Sequence, residues 1–63
     1  MPLVEISMFK GRNDEAKERM IREVTDAVAR TSGAPLEAVT VIIREVDRSD
    51  WARAGVPYSK SQD

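Results

Sequence analysis

The residue with the clearest chemical potential is Pro2, which stands directly behind Met1. Methionine aminopeptidase removes an initiator methionine when the next side chain is small, and proline meets that requirement. The chain would then begin with a secondary amine held in a rigid ring. An α-amino group has an ordinary pKa of about 8, and burial among apolar side chains would lower that pKa. Such an amine can accept and return a proton near neutral pH. Alternatively, Met-Pro is a common way for a chain to begin, and the proline has no chemical role.

Two further residues are candidates for a binding site. Arg12 lies just ahead of a predicted helix start, where a cation is unfavourable unless an anion joins it. It therefore indicates a carboxylate or phosphate site, or else a solvated arginine in a polar turn. Trp51 is the only tryptophan and is either an interface residue, a substrate contact or both. Arg44, Arg48 and Arg53 are most simply interpreted as surface charges.

The composition excludes several classes of chemistry. The chain has no cysteine and no histidine, which removes disulfides, thiolate nucleophiles and the common zinc sites. It also lacks the glycine-rich G-x-G-x-x-G and Walker motifs of nucleotide-binding proteins. Net charge is −1, with 10 basic and 11 acidic residues interspersed, which argues against nucleic acid as a partner. Neither a signal peptide nor a membrane-spanning apolar stretch is visible, and we expect a soluble, cytoplasmic protein.

Three segments must position these residues. Residues 3–9 alternate in polarity, which is typical of a strand beginning just after the proline. Residues 14 to about 31 carry an apolar stripe with helical spacing, with Asn13 as the N-cap and Gly33 placed to end the helix. Residues 39–46 are rich in β-branched side chains and predict a second strand.

Together these segments predict an α/β (α+β) fold with a single β-α-β domain over residues 1–63. The crossover helix requires the two strands to be parallel. The turn-rich remainder is either a loose hairpin around Gly55 or an arm on a neighbouring subunit, and residues 59–63 are predicted to be frayed. A chain of 63 residues buries only about 60% of the surface its unfolded form exposes. A two-stranded sheet with one helix is not stable alone, so we expect oligomerisation to complete the fold.

The set of segments resembles the 4-oxalocrotonate tautomerase family. The resemblance covers essentially the whole chain, and its order and spacing make it specific. Its pieces are Met1-Pro2 before an apolar strand, G-R-x-D-E-x-K at Gly11 to Lys17, I-R-E-V at Ile21 to Val24, A-P-L at Ala34 to Leu36, and V-x-V-I-I-x-E at Val39 to Glu45. It implies an isomerase of aromatic degradation without cofactors, assembled from dimers into a homohexamer.

The resemblance also implies residue roles. Pro2 would be the catalytic base that moves a proton from an enol hydroxyl to a carbon of a conjugated 2-hydroxy acid, giving the 2-oxo isomer. Arg12, supplied by another subunit, would bind the distal carboxylate, and Trp51 would form an apolar wall. Thr40 stands where family members of the standard type have a second arginine that binds the 2-oxo end. Arg44 or Arg53 is a candidate to replace it.

Two other functions fit the same sequence. A non-catalytic oligomeric scaffold or ligand-binding protein would explain why Thr40 replaces an arginine, because a protein can keep its fold after losing its catalytic site. A haloacrylate hydratase or dehalogenase would need an added carboxylate in the C-terminal arm. Arg53 occupies that position, so the resemblance makes this activity the minor alternative.

Thr40→Arg tests the departure from the family pattern. Thr40 lacks a charge-assisted contact that stabilises the developing enolate by up to about 3 kcal/mol. We expect Thr40→Arg to raise kcat/KM for 2-hydroxymuconate above that of the wild type, measured by ultraviolet absorbance. No gain in kcat/KM would contradict this assignment of position 40.

Overall fold

The computed structural model describes residues 1–60 and confirms the predicted β-α-β unit with a C-terminal hairpin. Strands β1 and β2 pair in parallel, from Leu3 opposite Thr40 to Phe9 opposite Val46. The elements in chain order are β1 (Leu3–Phe9), α1 (Asp14–Ser32), a 3-10 turn (Leu36–Ala38), β2 (Thr40–Val46), a 3-10 turn (Arg48–Asp50), β3 (Ala52–Arg53), β4 (Val56–Pro57) and a 3-10 turn (Tyr58–Lys60). No helix among the described residues is long and apolar enough to cross a membrane.

Helix α1 begins and ends at the residues that the sequence marks. The Asn13 side chain accepts a hydrogen bond from the Ala16 N–H at 2.8 Å, as an N-cap does. Gly33 adopts φ 80° and donates its N–H to the Ala29 carbonyl at 3.0 Å, closing the last turn. Both predicted caps are confirmed, and the helix extends to Ser32, one residue beyond the predicted end.

The C-terminal segment forms a hairpin around Gly55, which was one of the two arrangements expected from the sequence. Strands β3 and β4 are antiparallel, and the turn residues Ala54 and Gly55 both have positive φ, 54° and 80°. A tight type I′ turn requires a positive φ at both of its central residues. Ser59 and Lys60, expected to be frayed, lie instead in the last 3-10 turn. The rest of that predicted segment, residues 61–63, lies outside the described residues.

The sheet has one face against α1 and one face open. The side chains on the helix side, such as Ile6 and Ile43, are half-buried. The opposite side, here called the uncovered face, consists of Leu3, Glu5, Ser7, Thr40, Ile42 and Arg44, all of them exposed. Leu3 and Ile42 are 57% and 39% exposed, which is unusual for large aliphatic side chains in strands.

A single chain has no interior of its own. Within residues 1–60 no side chain is classed as buried, polar or apolar. The radius of gyration is 14.7 Å and the extents are 42 × 25 × 15 Å, whereas a compact chain of this length has a radius of about 11 Å. The fold therefore needs further subunits to bury its apolar surface.

A half-buried ion pair ties α1 to β2. Lys17 Nζ lies 2.9 Å from Glu45 Oε1, and the two side chains are 23% and 29% exposed. This hydrogen bond raises the pKa of Lys17 above its ordinary value of 10.5, against a smaller lowering by desolvation. A raised pKa in the folded state stabilises the fold below the ordinary pKa, and the contribution is lost as pH rises through the raised value.

Glu45→Gln tests this pair. We expect the variant to have a lower urea midpoint than the wild type at pH 7, because the amide keeps the shape but loses the charge. The gap should close as pH rises beyond 10.5 through the raised pKa of Lys17. Glu23→Gln is the matched control, since the Arg19–Glu23 pair lies within the helix and is well exposed, and exposed pairs contribute little. A gap that stays constant with pH would contradict the assignment.

Candidate active site

Pro2 lies immediately before β1 and is fixed to the neighbouring strand. Its carbonyl accepts a hydrogen bond from the Thr40 N–H at 3.0 Å, and the residue is half-buried. Met1, which is bonded to the Pro2 nitrogen, is 96% exposed. Removal of Met1 would therefore free the amine at a defined position at the start of the sheet.

Thr40 is the first residue of β2 and lies at the same end of the sheet. It pairs with Leu3 and points to the uncovered face, where it is exposed. The structure thus brings Pro2 and Thr40 together. We refer to this as the proline end of the sheet.

Trp51 lies at the opposite end of the sheet, packed against the last residue of β1. Its ring centroid is 4.8 Å from that of Phe9, and the ring centroid of Tyr58 is 5.2 Å from that of Phe9. The Tyr58 N–H donates to the Trp51 carbonyl at 2.8 Å, which holds the hairpin in place. Phe9, Trp51 and Tyr58, with Arg48 above the Phe9 ring, form what we call the aromatic end.

Arg12 also lies at this end of the sheet, in the loop between β1 and α1. It follows the last residue of β1 by three positions and directly precedes the helix N-cap. Its side chain is exposed, and no carboxylate of residues 1–60 forms an ion pair with it. A guanidinium next to the free amides of a helix start can receive an anion.

The four predicted site residues therefore fall into two separate pairs. Strand β1 has 7 residues, which places the proline end about 20 Å from the aromatic end at the usual strand rise. That distance is longer than any side chain spans. One chain alone does not bring Pro2 together with Arg12 and Trp51.

The two arginines that were candidates to replace the missing one have different surroundings. Arg44 lies on the uncovered face and forms a 2.7 Å ion pair with Glu5, so its charge is already balanced. Arg53 is an exposed residue of the short strand β3. Arg44 does not lie next to Thr40, because it pairs with Ser7 further along the sheet.

The sequence analysis missed three members of the aromatic end, Phe9, Tyr58 and Arg48. Phe9 has the parity of the uncovered face, yet it is covered because the hairpin folds back over the end of that face. The chain has only three aromatic residues, Phe9, Trp51 and Tyr58. The available signal was therefore the expectation that these three side chains pack against one another. Periodicity alone did not show that the tail returns to β1.

The described residues contain no group of three acidic, histidine or cysteine side chains close enough to hold a metal ion. The groups at the two ends are a proline, a threonine, guanidinium groups and aromatic rings. These are suited to binding a carboxylate and, once Met1 is removed, to moving a proton. The fold, one helix on a two-stranded parallel sheet with no buried side chain within residues 1–60, is that of a small protein that associates to bury its apolar surface.

Comparisons with known proteins identify the family. Residues 2–61 match the family described as "Tautomerase enzyme". The 2-hydroxymuconate tautomerase of Pseudomonas putida is 43% identical over 60 residues, which covers 95% of each chain. The crystal structure of YwhB, a homologue of 4-oxalocrotonate tautomerase, superposes with a TM-score of 0.92 at 38% identity, over 97% of this chain and all of that one. A heterohexameric 4-oxalocrotonate tautomerase from Chloroflexus aurantiacus gives a TM-score of 0.89 at 33% identity, over 95% and 97%.

The chain belongs to the 4-oxalocrotonate tautomerase family, and the resemblance seen in the sequence is confirmed. It is accordingly an isomerase of the cofactor-independent tautomerase type. The scaffold alternative is not supported, because the relatives that match over nearly the full length are named as tautomerases.

Proposed function

We propose that this protein converts a 2-hydroxy-2,4-dienoate or a related enol acid to its 2-oxo isomer, with the Pro2 amine as general base. The observation that carries the proposal is the position of Pro2, anchored at the start of β1 by the Thr40 N–H. Named relatives that act as 2-hydroxymuconate tautomerases support this substrate class. A monocarboxylic enol such as phenylenolpyruvate is a second substrate to test.

The proposed reaction needs only a proton relay. The neutral amine of Pro2 accepts the proton of the 2-hydroxyl group as the enol oxygen becomes a carbonyl. The conjugated double bonds of the substrate shift, and the resulting ammonium of Pro2 returns the proton to a carbon of the substrate. Atoms and charge balance without an added reactant, and the ring holds the amine in one orientation, which favours efficient transfer.

Arg12 and Trp51 complete the proposed site from another copy of the chain. The two ends of the sheet lie about 20 Å apart in one chain, so the aromatic end of one copy must meet the proline end of another. Association that places neighbouring sheets antiparallel would do this. Arg12 would then bind the distal carboxylate, and Trp51 would exclude water.

A homohexamer built as a trimer of dimers is our proposed assembly. The absence of buried side chains within residues 1–60 requires extensive contact between copies, and a relative with a closely similar fold is described as a heterohexamer. A cytoplasmic location and a role in aromatic degradation remain predictions from the sequence.

Pro2→Ala tests the base directly. The variant replaces a rigid secondary amine with a mobile primary amine, and we expect kcat/KM for both enols to fall by about a hundredfold, within the usual range for a general base. The matched control is Pro35→Ala, at the exposed proline that precedes the first 3-10 turn. Intact mass must show that Met1 is absent from each protein. Unchanged kcat/KM in Pro2→Ala would exclude Pro2 as the base.

Mixing two inactive variants tests whether the site is shared. Pro2→Ala and Arg12→Ala chains would be unfolded, combined in equal amounts and refolded. If one copy supplies Pro2 and another Arg12, about a quarter of the sites in a randomly mixed assembly contain both residues, and activity returns. Each variant refolded alone is the control. No recovery, with mixed assembly verified by mass, would show that both residues act from the same chain.

A further inference from the structure

The aromatic end contains a guanidinium that the proposed reaction does not use, that of Arg48. Its Cζ atom lies 4.4 Å from the centroid of the Phe9 ring, and that ring packs on Trp51 at 4.8 Å. No carboxylate within residues 1–60 forms an ion pair with Arg48, whereas Arg44 is paired with Glu5 at 2.7 Å.

This arrangement prepares Arg48 for an anion. Attraction between the guanidinium and the face of the Phe9 ring holds the side chain in place. A contact with the ring face uses no carboxylate, and none within residues 1–60 pairs with Arg48, so its N–H groups remain available. Those donors form a planar fork that matches the two oxygens of a carboxylate. Less side-chain entropy is lost on binding when the fork is already positioned.

Arg48 and Arg12 lie at the same end of the sheet, beyond the last residues of the two strands. Strands β1 and β2 run in parallel and end together, Arg12 follows β1, and Arg48 follows β2. The two connecting segments are joined by an ion pair between Lys10 and Asp47 at 3.3 Å. Thr40, which carries no charge, lies at the other end.

We propose that Arg48 is a substrate-binding residue that joins Arg12 in holding the carboxylate remote from the enol. Two guanidinium groups at this end make the site selective for dicarboxylic over monocarboxylic enols. The inference rests on the proposed function, because it assigns a further residue and a substrate class to the same site. Arg48 thereby acts in addition to Arg12 and does not replace the arginine missing at Thr40.

Binding of unreactive analogues tests the proposal without any proton transfer. Muconate has two carboxylates, whereas sorbamide has none on a similar six-carbon diene, and neither has an enol. Trp51 is the only tryptophan, so its fluorescence reports occupancy of the aromatic end. We expect the wild type to bind muconate more tightly than sorbamide. Arg48→Met, which keeps an apolar contact with Phe9, should weaken muconate binding about ten- to hundredfold and leave sorbamide binding nearly unchanged.

Three comparisons separate binding from structure. Arg48→Lys keeps the charge but not the fork and should give an intermediate loss for muconate. Arg22→Ala, on the exposed surface of α1, should behave as wild type. Sedimentation should show the same assembly for every variant.

Two results would overturn the proposal. One is equal weakening of both analogues in Arg48→Met, which would mean that Arg48 only supports the fold. The other is unchanged muconate binding in that variant. Failure of Pro2 as the base would appear separately, as ketonisation that survives in Pro2→Ala while the Kd values stay as expected.

Discussion

The burial of the uncovered sheet face is the requirement on which the rest of the structure depends. In one chain the helix covers a single side of two strands, and Leu3 and Ile42 remain exposed on the other. Burying apolar surface contributes about 25 cal/mol per Å², and this chain can gain that contribution only by contacting other subunits. Folding and association are therefore coupled, as in obligate oligomers generally.

The same requirement determines where chemistry can occur. The strands separate the proline end from the aromatic end, so a site that uses both must form between chains. In the proposed function, the Pro2 amine and the groups that bind substrate come together only in the assembled protein.

Ion pairs distribute the positive charges of the molecule unevenly. Lys10, Lys17 and Arg44 are each paired with a carboxylate, and these pairs join segments that are distant in sequence. At the aromatic end, Arg12 and Arg48 have no such partner within residues 1–60. Structural pairing has thus taken up these three cations and left Arg12 and Arg48 available at the aromatic end, where an anionic substrate is proposed to bind.

The sequence by itself determined the β-α-β order, the caps at Asn13 and Gly33, the family and the residues to inspect. These depend on local preferences and on motif spacing, which the order of residues records directly. Only the tertiary structure decided that the hairpin places Trp51 and Arg48 on Phe9. Those contacts depend on strand register and on the direction in which the tail returns, and neither has a periodic signal in the sequence.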